Sequence, residues 1–130
     1  MKHVARIPDA ELTLMKVIWS RRGENGRYQP ISTNEIMERL GNGWSVSTVF
    51  TLLSRLVEKG FLAADKKGRS NVYRALVEEK AYQKADTRQF LDKLYEGSLK
   101  NMVAAMCEDT IDQKEMDELL ELLEHKRNAL

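Results

Sequence analysis

The stretch Ser45-Val46-Ser47-Thr48-Val49-Phe50-Thr51-Leu52-Leu53-Ser54-Arg55-Leu56-Val57-Glu58-Lys59-Gly60 decides the architecture. Val49, Leu52, Leu53 and Leu56 recur at i, i+3, i+4 and i+7, the spacing that lines one side of an α-helix. Ser45 is a good N-cap, and Trp44 with Val49 is placed to staple that end. Lys59-Gly60 supplies a cation for the last turn and a residue that tolerates the left-handed stop. With the apolar stripe turned inward, Ser47, Thr48, Thr51, Ser54, Arg55 and Glu58 remain outward. Short hydroxyls and the free N–H groups of a helix start admit a phosphate closely, and Arg55 is long enough for a phosphate or a guanine edge. Phe50 borders the buried stripe, where it meets either a thymine methyl or the seam of its own domain. Taken alone, this face is equally well a solvated one; the flanking segments weight the reading toward DNA.

Upstream, Ser32-Thr33-Asn34-Glu35 has the capping-box pattern and opens a helix that carries Ile36, Met37 and Leu40 inward as far as Gly41. The turn Gly41-Asn42-Gly43-Trp44 is short, so the two helices must meet at a sharp angle. Before them, Asp9 reads as the N-cap of a first helix carrying Leu12, Met15, Ile18 and Trp19. A polar loop over 20–30 and a short strand at Ile31 follow. Downstream, extended segments Phe61–Ala64 and Asn71–Leu76 flank the turn Asp65-Lys66-Lys67-Gly68-Arg69-Ser70. Its Lys66, Lys67 and Arg69 suit the duplex backbone or the adjacent minor groove. Three helices followed by a basic-tipped hairpin describe a winged helix-turn-helix over residues 1–77. The fold class is mostly α with a small β wing.

Residues 78–130 read as helical throughout. One helix carries Tyr82, Ala85, Phe90, Leu91, Leu94 and Tyr95 as its apolar positions, and Gly97-Ser98 breaks it. A second carries Leu99, Met102, Val103 and Met106. A third opens on an Asp112 to Glu115 capping box and carries Met116, Leu119, Leu120 and Leu123. A lone core below about 70 residues is marginal. These stripes are therefore expected to close against a second copy, making the tail a helical dimerisation domain; packing back onto the head is the alternative. A two-fold dimer would set two recognition helices about one duplex turn apart, or a multiple of it, on a palindromic operator.

The charge is segregated in the same way. The whole chain of 130 residues carries only +1, but residues 1–76 hold 13 Lys/Arg against 7 Asp/Glu and residues 77–130 hold 8 against 13. A basic half joined to an acidic half suggests that the first alone faces a polyanion. The 42% hydrophobic content supports a core. No apolar run approaches the ~20 residues of a membrane span, and the start of the chain lacks the apolar stretch of a signal peptide. One cysteine fits a reducing compartment, so the expected location is the cytoplasm. Cys107 follows an apolar stretch and is expected as a small buried thiol. His3 and His125 belong to no metal-ligand spacing, and the methionines fall on core stripes, so neither a metal nor a cofactor is expected. The acidic run Glu115, Asp117, Glu118 and Glu121 reads as a solvated helix face. Nothing has the form of a nucleophile elbow or a phosphate-binding glycine loop, and an enzyme is not expected.

Three stretches together resemble the penicillinase-repressor family: Pro8-Asp9-Ala10-Glu11 through Trp19, Ser45 to Leu56 with its Thr48-Val49 and Thr51-Leu52-Leu53 steps, and Lys59-Gly60-Phe61. The likeness continues through Gly68-Arg69 and Tyr73 into the tail at Phe90 to Gly97, covering nearly the whole chain. It implies a homodimeric repressor with an N-terminal winged helix and an intertwined helical C-terminal domain, and it sets Ser45, Thr48, Thr51 and Arg55 at the operator. Members commonly carry a basic or polar side chain where this chain has Ser47 and Phe50, a departure that bears on which operator is bound. The copper-responsive branch uses paired Cys-x-Cys motifs that a lone Cys107 cannot supply. In the β-lactam branch a sensor protease partner cuts the tail between an Asn and an aromatic residue; the matching region here is Ala105-Met106, without that dipeptide. The inducing signal therefore stays open, with proteolysis of the tail as one route. Two other functions are weighed against repression. One is a MarR-like regulator sensing a small ligand near Tyr82, Phe90 or Tyr95; the other is a winged helix used for protein–protein assembly.

Overall fold

The computed structural model describes residues 6–23 and 26–130, apart from the Lys67 side chain; His3 lies outside the described residues. Among the described residues six helices and a three-stranded sheet follow in the order α1 (Asp9–Trp19), β1 (Ile31–Ser32), α2 (Thr33–Leu40), α3 (Val46–Glu58), β2 (Leu62–Lys67), β3 (Ser70–Ala75), α4 (Glu79–Tyr95), α5 (Leu99–Met106) and α6 (Gln113–Asn128). The architecture is the winged helix-turn-helix with a helical tail. No described helix is long and apolar enough to cross a membrane.

Local chemistry accounts for the helix limits. Pro8, at φ −60° and ψ 157°, occupies the N-cap of α1 without a side-chain bond, and its carbonyl accepts the Leu12 N–H at 2.9 Å. Asp9 is thus one residue inside the helix, where its charge faces the positive end of the dipole, and is not the cap expected from the sequence. Ser32 caps α2 by accepting the Glu35 N–H at 3.2 Å. The expected capping box is only half realised, because the Glu35 carboxylate faces Arg21, and Arg39 at 3.4 Å. Gly41, at φ 73°, closes α2 in a conformation that costs a side chain more than it costs glycine. The polar loop before β1 is tied by a bridge between Arg22 and Tyr28 and by the Tyr28 hydroxyl, which accepts the Glu79 N–H at 3.0 Å.

The sheet is antiparallel in the order β1-β3-β2, with Ile31 opposite Tyr73 and Leu62 opposite Ala75. The hairpin is longer than its sequence suggests. Pairing runs to Lys67 opposite Ser70, so Lys66 and Lys67 belong to β2 and only Gly68-Arg69 form the turn. Gly68 at φ 68° meets the positive φ that a two-residue hairpin turn requires at its first position.

The head has one core. Leu14, Met15 and Ile18 of α1, Ile31, Ile36, Val49, Leu53, Leu56 and Leu62 are all but inaccessible, with Trp19, Phe61 and Tyr73 beside them. Tyr82 joins them. Its ring centroid lies 5.8 Å from that of Trp19 and 5.7 Å from that of Phe61, and its oxygen accepts the Ile7 N–H at 3.0 Å. This corrects the sequence expectation, which placed Tyr82 among the dimerisation residues. It also shifts the boundary: the two compact units divide between Asp86 and Thr87, within α4, and not after residue 77. An uninterrupted helix carries no sequence mark where it leaves one core.

The second unit, from Thr87 to Leu130, differs in kind. Leu91 is buried, yet α5 and α6 contain no buried residue. Both have proper starts: Ser98 accepts the Asn101 N–H at 3.1 Å, and Asp112 and Glu115 complete a reciprocal capping box. Glu96 at φ 51° and Gly97 at φ 82° make the break between α4 and α5. Cys107, expected as a buried thiol, is exposed at the C-cap of α5, a helix that buries no residue completely within the chain.

Burial pushes the Tyr82 phenol above its ordinary pKa, and the Ile7 N–H, which favours the ionised oxygen, offsets this only in part. A raised folded-state value means that the phenol's contribution to stability is fully present below about pH 10 and is lost as pH rises through the folded-state pKa. Tyr82→Phe should therefore cost about 1 kcal/mol at neutral pH, from the unpaired Ile7 N–H. It should also flatten the alkaline loss of stability, as read from urea unfolding at pH 8 to 11.

Candidate nucleic-acid interface

The outward face of α3 is built from its N-terminus upward. The Ser45 hydroxyl accepts the Thr48 N–H at 3.1 Å and donates to Thr48 Oγ1 at 2.8 Å, with Ser47 Oγ 3.3 Å away. Ser45, set at the operator by the family likeness, is thus engaged in ordering the helix start, and the Thr48 hydroxyl proton is left to donate outward. Thr51 donates its proton to the Ser47 carbonyl at 2.9 Å, leaving oxygen lone pairs as its free function. Ser47, Thr48, Thr51 and Arg55, together with Leu52, line an open recess of about 310 Å³. Ser54 is exposed on the same side.

The cations are placed to meet a polyanion. Arg55, Lys66 and Arg69 are exposed and have no ion-pair partner among the described residues, whereas Arg74 on the same hairpin faces Asp65 at 3.9 Å. Lys67 lies on β2, and its side chain is outside the described residues. A guanidinium without a protein partner retains all its donors for phosphate or base edges.

One positioning contact was not legible in the sequence. Glu11, whose position in the first turn of α1 marks it as no more than a dipole-facing acid, is 1% exposed, and its carboxylate accepts from Lys59 Nζ at 2.7 Å. It joins the first turn of α1 to the C-terminal end of α3. A buried carboxylate is tolerable only with such a partner, so the pair fixes where α3 ends relative to α1. The exposed apolar side chains Val46 and Val57 on α3 were likewise passed over, although their spacing from Phe50 places all three along one flank.

Other expected residues are dispersed. Tyr82 is in the head core, while Phe90 and Tyr95 pair with each other at 6.4 Å between centroids in the second unit. A hollow of about 410 Å³ in the head is lined by Arg22, Tyr28, Arg74 and Lys80 among others, and by none of those three aromatics. Among the described residues no three His, Cys, Asp or Glu side chains are grouped to hold a metal ion.

A helix anchored by one face, with hydroxyls and an unpaired arginine on the other and a basic-tipped hairpin beside it, defines the class: a winged-helix DNA-binding protein. The penicillinase repressor family model matches residues 7–125, and the chain belongs to that family, whose members are transcriptional repressors and not enzymes. It is 37% identical to the penicillinase repressor of Bacillus licheniformis over 98% of this chain and 97% of that one. It is 32% identical to the methicillin resistance regulatory protein MecI of Staphylococcus aureus (strain N315), over 92% of this chain and 94% of the relative. The solution structure of the DNA-binding domain of the repressor BlaI superposes with a TM-score of 0.50 at 40% identity, covering 63% of this chain and 94% of that domain.

Ser45→Ala should lower the stability of the head by about 1 kcal/mol in urea unfolding, the usual cost of losing a serine cap. Ser47→Ala, which removes no cap bond, should leave stability unchanged.

Proposed function

We propose that this chain represses transcription as a homodimer, binding a two-fold symmetric operator through α3 and the wing. The observation that carries the reading is the outward face of α3, with Arg55 unpaired and Ser47, Thr48 and Thr51 around it, on a helix whose opposite side is locked in the core. The BlaI domain similar to this head is a DNA-binding domain, which supports the same use here. Ser54 and Phe50 border the contact, while Lys66, Lys67 and Arg69 take the phosphate backbone. A cytoplasmic location goes with this role.

The tail supports self-association. Phe90, Leu94, Leu99, Leu120 and Leu123 are exposed by 46 to 60%, and Val103, Met106 and Leu119 by 38% each. Met102 and Met116 are half-buried among them. Apolar side chains left bare along three helices mark an interaction site, and a second copy presents the same stripes under two-fold symmetry. Leu91 and Tyr95, already covered or half-covered within one chain, shape that surface more than they extend it. Whatever separates the two copies lifts repression. Ala105 and Met106, exposed at the end of α5, form the stretch of the tail where a sensor protease would act.

Selection of bound sequences from random duplex DNA tests the reading. The expected result is an enriched palindrome, with affinity falling steeply as salt rises. Arg55→Ala should weaken binding by about ten-fold or more without altering thermal stability. Binding that is indifferent to salt and to Arg55 would move protein–protein assembly into first place. Separately, Leu120→Glu combined with Leu123→Glu should yield a monomer by analytical ultracentrifugation while the head unfolds with an unchanged midpoint.

A further inference from the structure

Phe50 is not among the head-core residues and keeps 39% of its surface exposed, so part of its ring stays bare beside the seam of its own domain. Val46, one turn earlier on the same flank, is 54% exposed. Side chains at i and i+4 are surface neighbours, here set about 6 Å apart along the helix axis. That distance spans about two base-pair steps of a duplex. Both residues lie at the N-terminal half of α3, the part of a recognition helix that meets base edges. Phe50 also adjoins the polar face directly, three residues after Ser47 and four before Ser54. Those neighbours are short hydroxyls, so no long side chain holds the backbone away from the groove floor.

A flank of this composition needs an apolar counterpart. The major-groove edges of the bases offer donors, acceptors and one apolar group, the 5-methyl of thymine. We propose that Val46 and Phe50 form a thymine-methyl reader, which makes Phe50 a specificity-determining residue selecting thymine at one or two positions of each half-site. The proposal rests on the DNA-binding reading above and assigns what this flank of α3 recognises. Arg55 and the hydroxyls supply polar contacts, and the apolar flank discriminates thymine from cytosine at positions where hydrogen bonding does not.

Deoxyuridine scanning tests it on the duplex selected with the full-length protein. Replacing one thymine at a time by deoxyuridine removes the methyl and preserves pairing. Expected is a loss of about four-fold at one or two positions per half-site, the transfer value of one buried methyl. The loss should vanish in Phe50→Ser, which should still unfold cooperatively with a midpoint lowered by only a few degrees, and persist in Arg55→Ala. If the unaltered chain tolerates uracil everywhere while Arg55→Ala still weakens binding, the methyl reader is overturned and the DNA-binding reading stands. A uracil penalty that survives undiminished in Phe50→Ser also overturns it. Failure of any duplex to bind overturns both.

Discussion

The seam between α1 and α3 is the constraint on which the remaining structure depends. A recognition helix has to be rigidly held and yet leave half its circumference bare, and the two demands compete for the same residues. Here Val49, Leu52, Leu53 and Leu56 occupy one side and bury almost completely, each contributing about 1.5–3 kcal/mol relative to exposure. That anchoring leaves the other side free of structural duty, so it can consist of hydroxyls that would be poor core material. The Glu11–Lys59 pair adds direction to this adhesion. Apolar packing tolerates sliding, whereas a buried carboxylate with one cationic partner does not.

The head and the second unit solve the burial problem differently. In the head, three helices and a three-stranded sheet enclose one core, and the first turns of α4 complete it through Tyr82. In the second unit, α5 and α6 have well-capped starts but no buried side chain. Helices with good local signals and bare apolar faces fit one half of the interface proposed above. Their local free energy comes from caps and propensity, which alone rarely sustain short helices in water. The missing burial points toward the partner that the proposed function assigns.

Much of the fold was legible in the sequence because its signals are local. The 3.6-residue stripe of α3, the Ser45 and Ser32 caps, Gly41, Gly60 and the break at Gly97 each mark an element by chemistry confined to a turn or two. The outward set on α3 followed directly, since naming the buried stripe names its complement. What was missed is non-local. Glu11 looks like any first-turn acid until Lys59 arrives from 48 residues away. The length of the hairpin depends on a ladder whose continuation to Lys67 and Ser70 is set by pairing across the strands.

Local sequence chemistry marks which residues are helical, most of the helix ends, and which side of α3 stays outward. Periodicity and capping act within a few residues, and no distant contact is needed to decide them. Only the tertiary structure decided which core each stripe joins. Tyr82 and Leu94 have the same apolar character on one continuous helix, yet the first is sealed against Trp19 and Phe61 while the second is 58% exposed. Burial belongs to the surroundings and not to the residue. A stripe announces that it will be covered; its cover is settled only when the chain has closed in space.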